Sequence, residues 1–129
     1  MKTETVIALI DDDEDILSFL NYNLVKKGYK VLLYNDCNQI IESLKSNKPA
    51  LIISDWMLPG KQGIELLSEV RNDNELKTTP FVMITCNNSY NDISSAFNRG
   101  INDYFVKPFK ILDFLTKVEH LVKISQQKG

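Results

Sequence analysis

The sequence predicts an α/β domain built on a parallel sheet, and three observations carry that prediction. Short apolar runs rich in Val, Ile, Leu and aromatic residues alternate with longer segments of helical period, five pairs in all, which is the pattern of successive βα units. Polar residues stand directly after four of those runs: Asp11 and Asp12 after Val6 to Ile10, Asp55 after Leu51 to Ser54, Thr85 after Phe81 to Ile84, and Lys107 after Tyr104 to Val106. At 129 residues the chain has room for one core and not for two.

The first helix is expected from near Glu14 to Lys27. Ile16, Leu17, Leu20 and Leu24 point inward, Gly28 is its C′ residue, and Lys26 and Lys27 suit its negative end. A second strand over Lys30 to Tyr34 leads into a helix that buries Cys37, Ile40, Ile41 and Leu44 and stops at Lys48-Pro49, since a residue before proline is pushed out of helical geometry. The third strand covers Ala50 to Ser54. After a loop with Pro59 and Gly60, a helix carries Ile64, Leu67 and Val70 inward. Pro80 opens the fourth strand. The helix that follows, roughly Tyr90 to Asn98, is rich in Asn and Ser, whose side chains compete for backbone hydrogen bonds, so it is expected to be the most mobile helix; it ends at Gly100. The fifth strand is Asp103 to Val106. A last helix from about Lys110 to Ile124 turns Ile111, Leu112, Leu115, Val118 and Leu121 inward, which puts one domain over residues 1–124 and a polar, frayed tail over 125–129.

Composition narrows the function classes. Hydrophobic residues at 43% and charged residues at 25% are ordinary for a soluble globular domain. A net charge of −2 gives no support for nucleic-acid binding, which needs a basic patch. Cys37 and Cys86 are too few for a disulfide framework and lack metal-ligand spacing, and His120 cannot complete a site with them, so reduced thiols in the cytoplasm are expected. The first apolar run ends at Ile10 and is followed by five acids, so it is neither a signal peptide nor a membrane span.

In a parallel sheet the four polar positions share the carboxyl edge, where open α/β sheets bind ligands. Three acids, a hydroxyl and an amine there have the chemistry of a divalent cation and a phosphoryl group. Asp13, Glu14 and Asp15 read as a solvated first helical turn, where acids are favoured. Asp11 and Asp12 emerge beside Asp55, and packed carboxylates repel unless a cation offsets them; oxygen ligands suit Mg²⁺. A calcium loop fails, because Ile16 stands where its Gly belongs and Tyr22 where its Glu belongs. Asp55 alone could merely cap a turn; beside Asp12 and Lys107 it reads as a nucleophile that forms an acyl phosphate. Thr85 suits a strand as any β-branched residue does, yet at this edge its hydroxyl can donate to a phosphoryl oxygen that exists only after transfer. Lys107 would pair with Asp55 at rest and with a phosphoryl oxygen afterwards.

The acidic pair after the first strand, Asp55 followed by Met57-Leu58-Pro59 and Gly63, Ile84-Thr85, and Asn102-Asp103-Tyr104-Phe105-Val106-Lys107-Pro108-Phe109 together resemble the receiver domain of bacterial two-component response regulators, over about Thr5 to Val122. Asp55 to Gly60 and the Lys-Pro-Phe stretch are similar to the OmpR/PhoB winged-helix subfamily. The resemblance implies a flavodoxin-like (βα)5 doubly wound sheet of strand order 2-1-3-4-5. It implies Asp55 as phosphoacceptor, Mg²⁺ (or Mn²⁺) held by Asp12 directly, by Asp11 through water, by Asp55 and by the Met57 backbone carbonyl, Thr85 as switch hydroxyl and Tyr104 as an aromatic switch that turns inward when Thr85 moves. A cis Lys107-Pro108 bond and tuning of the phosphorylated lifetime by the Met57 and Asn87 side chains are implied too. Three positions depart from the pattern: Cys86 where a small residue is usual, Asn102-Asp103 in place of an acidic pair, and Glu119 where the OmpR/PhoB group often has a base, which weakens a direct copy of that group's dimer.

The function so implied is a phosphorylation-activated switch in a phosphorelay. It takes phosphate from the phosphohistidine of a sensor histidine kinase, or from a phosphotransfer protein, and shifts the face made by its fourth helix, fifth strand and last helix to control dimerisation, a partner or an effector domain. It assists its own transfer and dephosphorylation without being a metabolic enzyme, binds neither nucleic acid nor membrane itself, and is either free-standing or part of a longer regulator. A haloacid-dehalogenase-like phosphohydrolase would need a second Asp where Met57 stands, and a flavodoxin would need a Ser/Thr/Gly phosphate loop where five acids stand. A degenerate receiver is disfavoured by the full set Asp11, Asp12, Asp55, Thr85 and Lys107.

Overall fold

Val, Ile and Leu crowd three of the strands because those strands are covered on both faces, as parallel sheets require. The computed structural model describes residues 5–58, 61–86 and 89–127. Its elements are β1 (Val6–Ile10), α1 (Glu14–Lys26), β2 (Lys30–Tyr34), α2 (Ile40–Asn47), β3 (Leu51–Asp55), α3 (Gly63–Asn72), β4 (Phe81–Thr85), α4 (Tyr90–Arg99), β5 (Asp103–Val106) and α5 (Ile111–Gln127). All strand pairs are parallel, in the order β2-β1-β3-β4-β5, so the flavodoxin-like topology is as expected. The buried central strands are β1, β3 and β4, while the edges β2 and β5 are only half-buried.

Successive side chains of a strand point to opposite faces, so each central strand feeds two cores. Ala8, Ile10, Ile52 and Met83 join Leu44 of α2, Leu67 of α3 and Ala96 of α4. Ile7, Leu9, Ile53 and Ile84 join Leu20 and Leu24 of α1 and Phe114 and Val118 of α5.

Several boundaries and one helix phase differ from expectation. Cys37 is buried but precedes α2, because Gln39 sits in the left-handed region (φ 55°) and the helix begins only at Ile40. β3 runs one residue further, through Asp55. Leu112 is 73% exposed, and Phe114 is fully buried in its place: the stripe runs Phe114, Val118, Leu121 and Val122, and a residue two before Phe114 lies about 200° round the helix, facing water. The expected frayed tail is helical through Gln127, and Gln126 Nε2 donates to Thr5 Oγ1 at 2.9 Å. Pro59 and Gly60 lie outside the described residues.

Arg71, at the end of α3, ties the fourth helix to the sheet. Its guanidinium donates to Gly100 O from Nε (3.0 Å) and Nη2 (2.8 Å), to Thr79 O (2.7 Å) and Lys77 O (3.2 Å) from Nη1, and to Asn102 Oδ1 from Nη2 (3.1 Å). Asn102 Oδ1 also accepts from Phe81 N at 2.8 Å, so the same cluster sets where β4 starts. Gly100 is in the left-handed region (φ 112°), and a Cβ there would meet Arg71 Nε at 2.9 Å. Burial pushes the guanidinium below its usual pKa. Arg71→Ala strands several carbonyls at once and is expected to lower unfolding stability by about 2–4 kcal/mol. Urea unfolding checks this; a midpoint equal to that of the parent chain would contradict it.

Candidate functional site

Asp11 continues β1 by one residue, its N–H donating to Tyr34 O at 3.0 Å. Its Oδ1 accepts from Asp13 N at 2.9 Å, a short Asx-type turn that hands the chain to α1, where Asp13 in turn caps Asp15 N and Ile16 N. This turn buries Asp11 to 1% exposure and leaves Asp12 exposed. Asp55 ends β3, with Trp56 N donating to Ile84 O at 3.0 Å and Met57 N to Asp55 Oδ1 at 3.3 Å. Gly63 donates to Trp56 O at 2.7 Å and lies so close that a Cβ would collide with the Asp55 carbonyl oxygen, which is the reason glycine opens α3.

Asp11, Asp12 and Asp55 each bring one carboxylate oxygen within 4.8 Å of the others. Lys107 Nζ donates to Asp11 Oδ2 at 3.2 Å and to Asp55 Oδ2 at 3.3 Å. Pairing with Asp55 was legible in the sequence; the bridge to Asp11 was not, because it depends on how far Asp11 turns inward. The Lys107–Pro108 peptide is cis, and Lys107 N donates to Thr85 O at 2.8 Å. Thr85 is 2% exposed at the end of β4. A cavity of about 430 Å³ opens over this edge, lined by Asp55, Trp56, Met57, Gln62, Thr85, Cys86 and Lys107. Gln62 and Cys86 are wall residues that strand-end spacing did not single out for chemistry.

The electrostatics are unbalanced. Burial holds the Asp11 carboxyl above its usual pKa and the charge of Asp55 adds to that, against the Asp13 amide and Lys107. For Lys107, burial disfavours the ammonium, but Asp55, Asp11 and their hydrogen bonds outweigh it and hold the pKa above the usual lysine value. An acid whose folded pKa is raised binds more protons folded than unfolded. Stability is therefore lost as pH rises from the unfolded value through the raised one, and the ionised Asp11 is a cost at neutral pH. Three carboxylates against one ammonium leave two negative charges, so this oxygen-only donor set fits a hard divalent cation such as Mg²⁺.

Six predicted positions, Asp11, Asp12, Asp55, Met57, Thr85 and Lys107, thus gather at the carboxyl edge. Tyr104 does not line the cavity. It pairs in register with Met83 and packs edge-to-face on Phe97 of α4, with centroids 5.7 Å apart. Asn87 lies outside the described residues.

A parallel sheet of this order with acids, a hydroxyl and a lysine at its carboxyl edge defines a phosphoacceptor class. The chain matches the response regulator receiver domain family over residues 7–119 and belongs to it: it is a CheY-like receiver domain of a two-component response regulator. Among solved structures it is similar to a two-component response regulator from Clostridium difficile (32% identity, TM-score 0.86, covering 93% of this chain and 97% of that one). It is also similar to the chemotaxis response regulator CheY4 of Vibrio cholerae (25%, 0.85, 92% and 99%). The BeF3-activated N-terminal receiver domain of Klebsiella pneumoniae RstA shares the fold (24%, 0.85, 92% and 98%). Among the described residues no helix is long and apolar enough to cross a membrane.

Proposed function

We propose that Asp55 is the phosphoacceptor of this switch, and the observation that carries the reading is the Lys107 ammonium bridging Asp55 and Asp11 beneath an open cavity. An Asp55 oxygen attacks the phosphorus of a kinase or phosphotransfer-protein phosphohistidine; the P–N bond breaks and the imidazole leaves with its electron pair. Asp12 and Asp55 directly, Asp11 through water and the Met57 backbone carbonyl would hold Mg²⁺ (or Mn²⁺), which would supply positive charge against the phosphoryl oxygens. Lys107 exchanges a carboxylate partner for a phosphoryl oxygen, and Thr85 donates its hydroxyl to another.

The readout passes through the neighbouring strand. Thr85 pairs in register with Val106, and Tyr104 two residues earlier is packed on Phe97, so a turn of the Tyr104 ring obliges α4 to repack. The α4-β5-α5 face then presents a changed surface to a second copy, a partner or an effector domain. We place the domain at residues 1–124, near the OmpR/PhoB group on its Asp55 to Gly60 and Lys107-Pro108-Phe109 stretches, in the cytoplasm with a sensor kinase's phosphohistidine. Its role is signalling, with hydrolysis limited to its own acyl phosphate.

The test is labelling by acetyl phosphate. One phosphoryl group per chain is expected by intact mass with Mg²⁺ and none with EDTA, and Asp12→Asn should raise the Mg²⁺ concentration needed by about tenfold or more, since loss of even an outer-shell partner of a metal typically costs that much. Labelling that ignores both EDTA and Asp12→Asn would sink the metal assignment.

A further inference from the structure

α1 shows the sheet its Leu17, Leu20 and Leu24 side, and on the opposite side it carries a second ordered stripe. Asp15, Phe19, Tyr22 and Lys26 follow one another at spacings of four, three and four, all exposed, Phe19 at 52% and Tyr22 at 65%. At 100° per residue the four lie within about 60° of one another, the narrow seam along which two helices pack. Among the described residues neither Asp15 nor Lys26 has an ion-pair partner; Lys26 Nζ only hovers 5.8 Å from the Tyr22 ring centroid.

The stripe reads acid, aromatic, aromatic, base. Turned end for end it reads base, aromatic, aromatic, acid, so it complements an inverted copy of itself, which is what a twofold contact demands. A dyad midway between Phe19 and Tyr22 sets each of these rings on the other ring of the second copy. It also sets Asp15 against Lys26 at both ends, and opposes the two helix dipoles favourably. Val25, 52% exposed, lies on one flank of the seam, about 90° round the helix from its centre.

We propose that α1 is a self-association surface on which a second copy of this chain docks its own α1 antiparallel, with Phe19 and Tyr22 at the centre and Asp15–Lys26 pairs at the ends. One seam between 13-residue helices falls short of the roughly 1,200 Å² of a stable standard interface, so the dimer is weak and concentration-dependent. It needs no phosphoryl group, which separates it from any contact made through the α4-β5-α5 face.

Sedimentation equilibrium of the full chain without phosphodonor, at low and high salt, tests it. A reversible dimer is expected, loosened by salt and weakened at least about tenfold by Tyr22→Glu, which buries a charge in the seam. Asp15→Lys alone and Lys26→Asp alone should each be monomeric, since every end pair then repels. An equimolar mixture of the two should associate again, because the mixed dimer regains both opposite-charge pairs; this arm cannot be mimicked by misfolding. A monomer at every concentration overturns the proposal. So does a dimer indifferent to Tyr22→Glu, or a mixture no tighter than its components. If the parent chain stays monomeric while Tyr22→Glu slows phosphotransfer from a sensor kinase, the stripe belongs to the kinase and the proposal is wrong.

Discussion

Asp55→Asn is expected to remove covalent labelling by acetyl phosphate to the limit of detection. The amide oxygen is a far weaker nucleophile than a carboxylate and forms no stable phosphoryl adduct, while the side chain keeps its shape. The fold should survive, because Lys107 retains Asp11 as partner at 3.2 Å and one of three crowded negative charges is gone. Intact-mass measurement under conditions that label the parent chain decides the point. Equal labelling would move the nucleophile elsewhere, Asp12 being the exposed carboxylate nearest at hand.

The second large effect is on stability. Phe114 is fully buried, its ring 5.2 Å from that of Phe105 and 5.4 Å from that of Phe109. Phe114→Ala removes the centre of that cluster and is expected to cost about 3–5 kcal/mol. Leu112→Ala, on the wet side of the same helix, should stay within about 0.5 kcal/mol. Urea titrations of the two variants compare them directly; similar midpoints would mean that the helix phase is misassigned. Phe105 precedes Lys107 by two residues on β5, so loosening this cluster also loosens the strand that delivers the lysine.

The difference between those two residues shows where sequence reading succeeds and where it stops. The strand-end positions of Asp11, Asp55, Thr85 and Lys107 were legible, because parallel strands share a carboxyl edge; the groups meet in one pocket because β1, β3, β4 and β5 are successive neighbours in the sheet. The phase of α5 was not, because Ile111, Leu112, Phe114 and Leu115 leave two apolar stripes possible, and contact with β5 selects between them. Nothing in the sequence singles out Arg71, a base in the last turn of α3, and Asn102 entered only as a departure from a family pattern. Their joint role depends on the α4–β5 turn arriving beside the end of α3, a contact 29 to 31 residues away in the chain. The gathering of the three acids was legible from their strand-end positions; which oxygens Lys107 already holds was a matter of distances.

Hydrogen exchange with and without beryllofluoride, a phosphoryl mimic, tests most directly whether Asp55 occupancy is read out at a distance. Protection should change at the Asp55 cavity and also across Tyr90 to Lys117, through α4, β5 and the first half of α5, because Tyr104 leans on Phe97 and the fourth helix is rich in Asn and Ser. The same experiment on Thr85→Ala should keep the changes at the cavity and lose those beyond it. Changes confined to the cavity in the parent chain, with no difference from Tyr90 to Lys117, would contradict the switch.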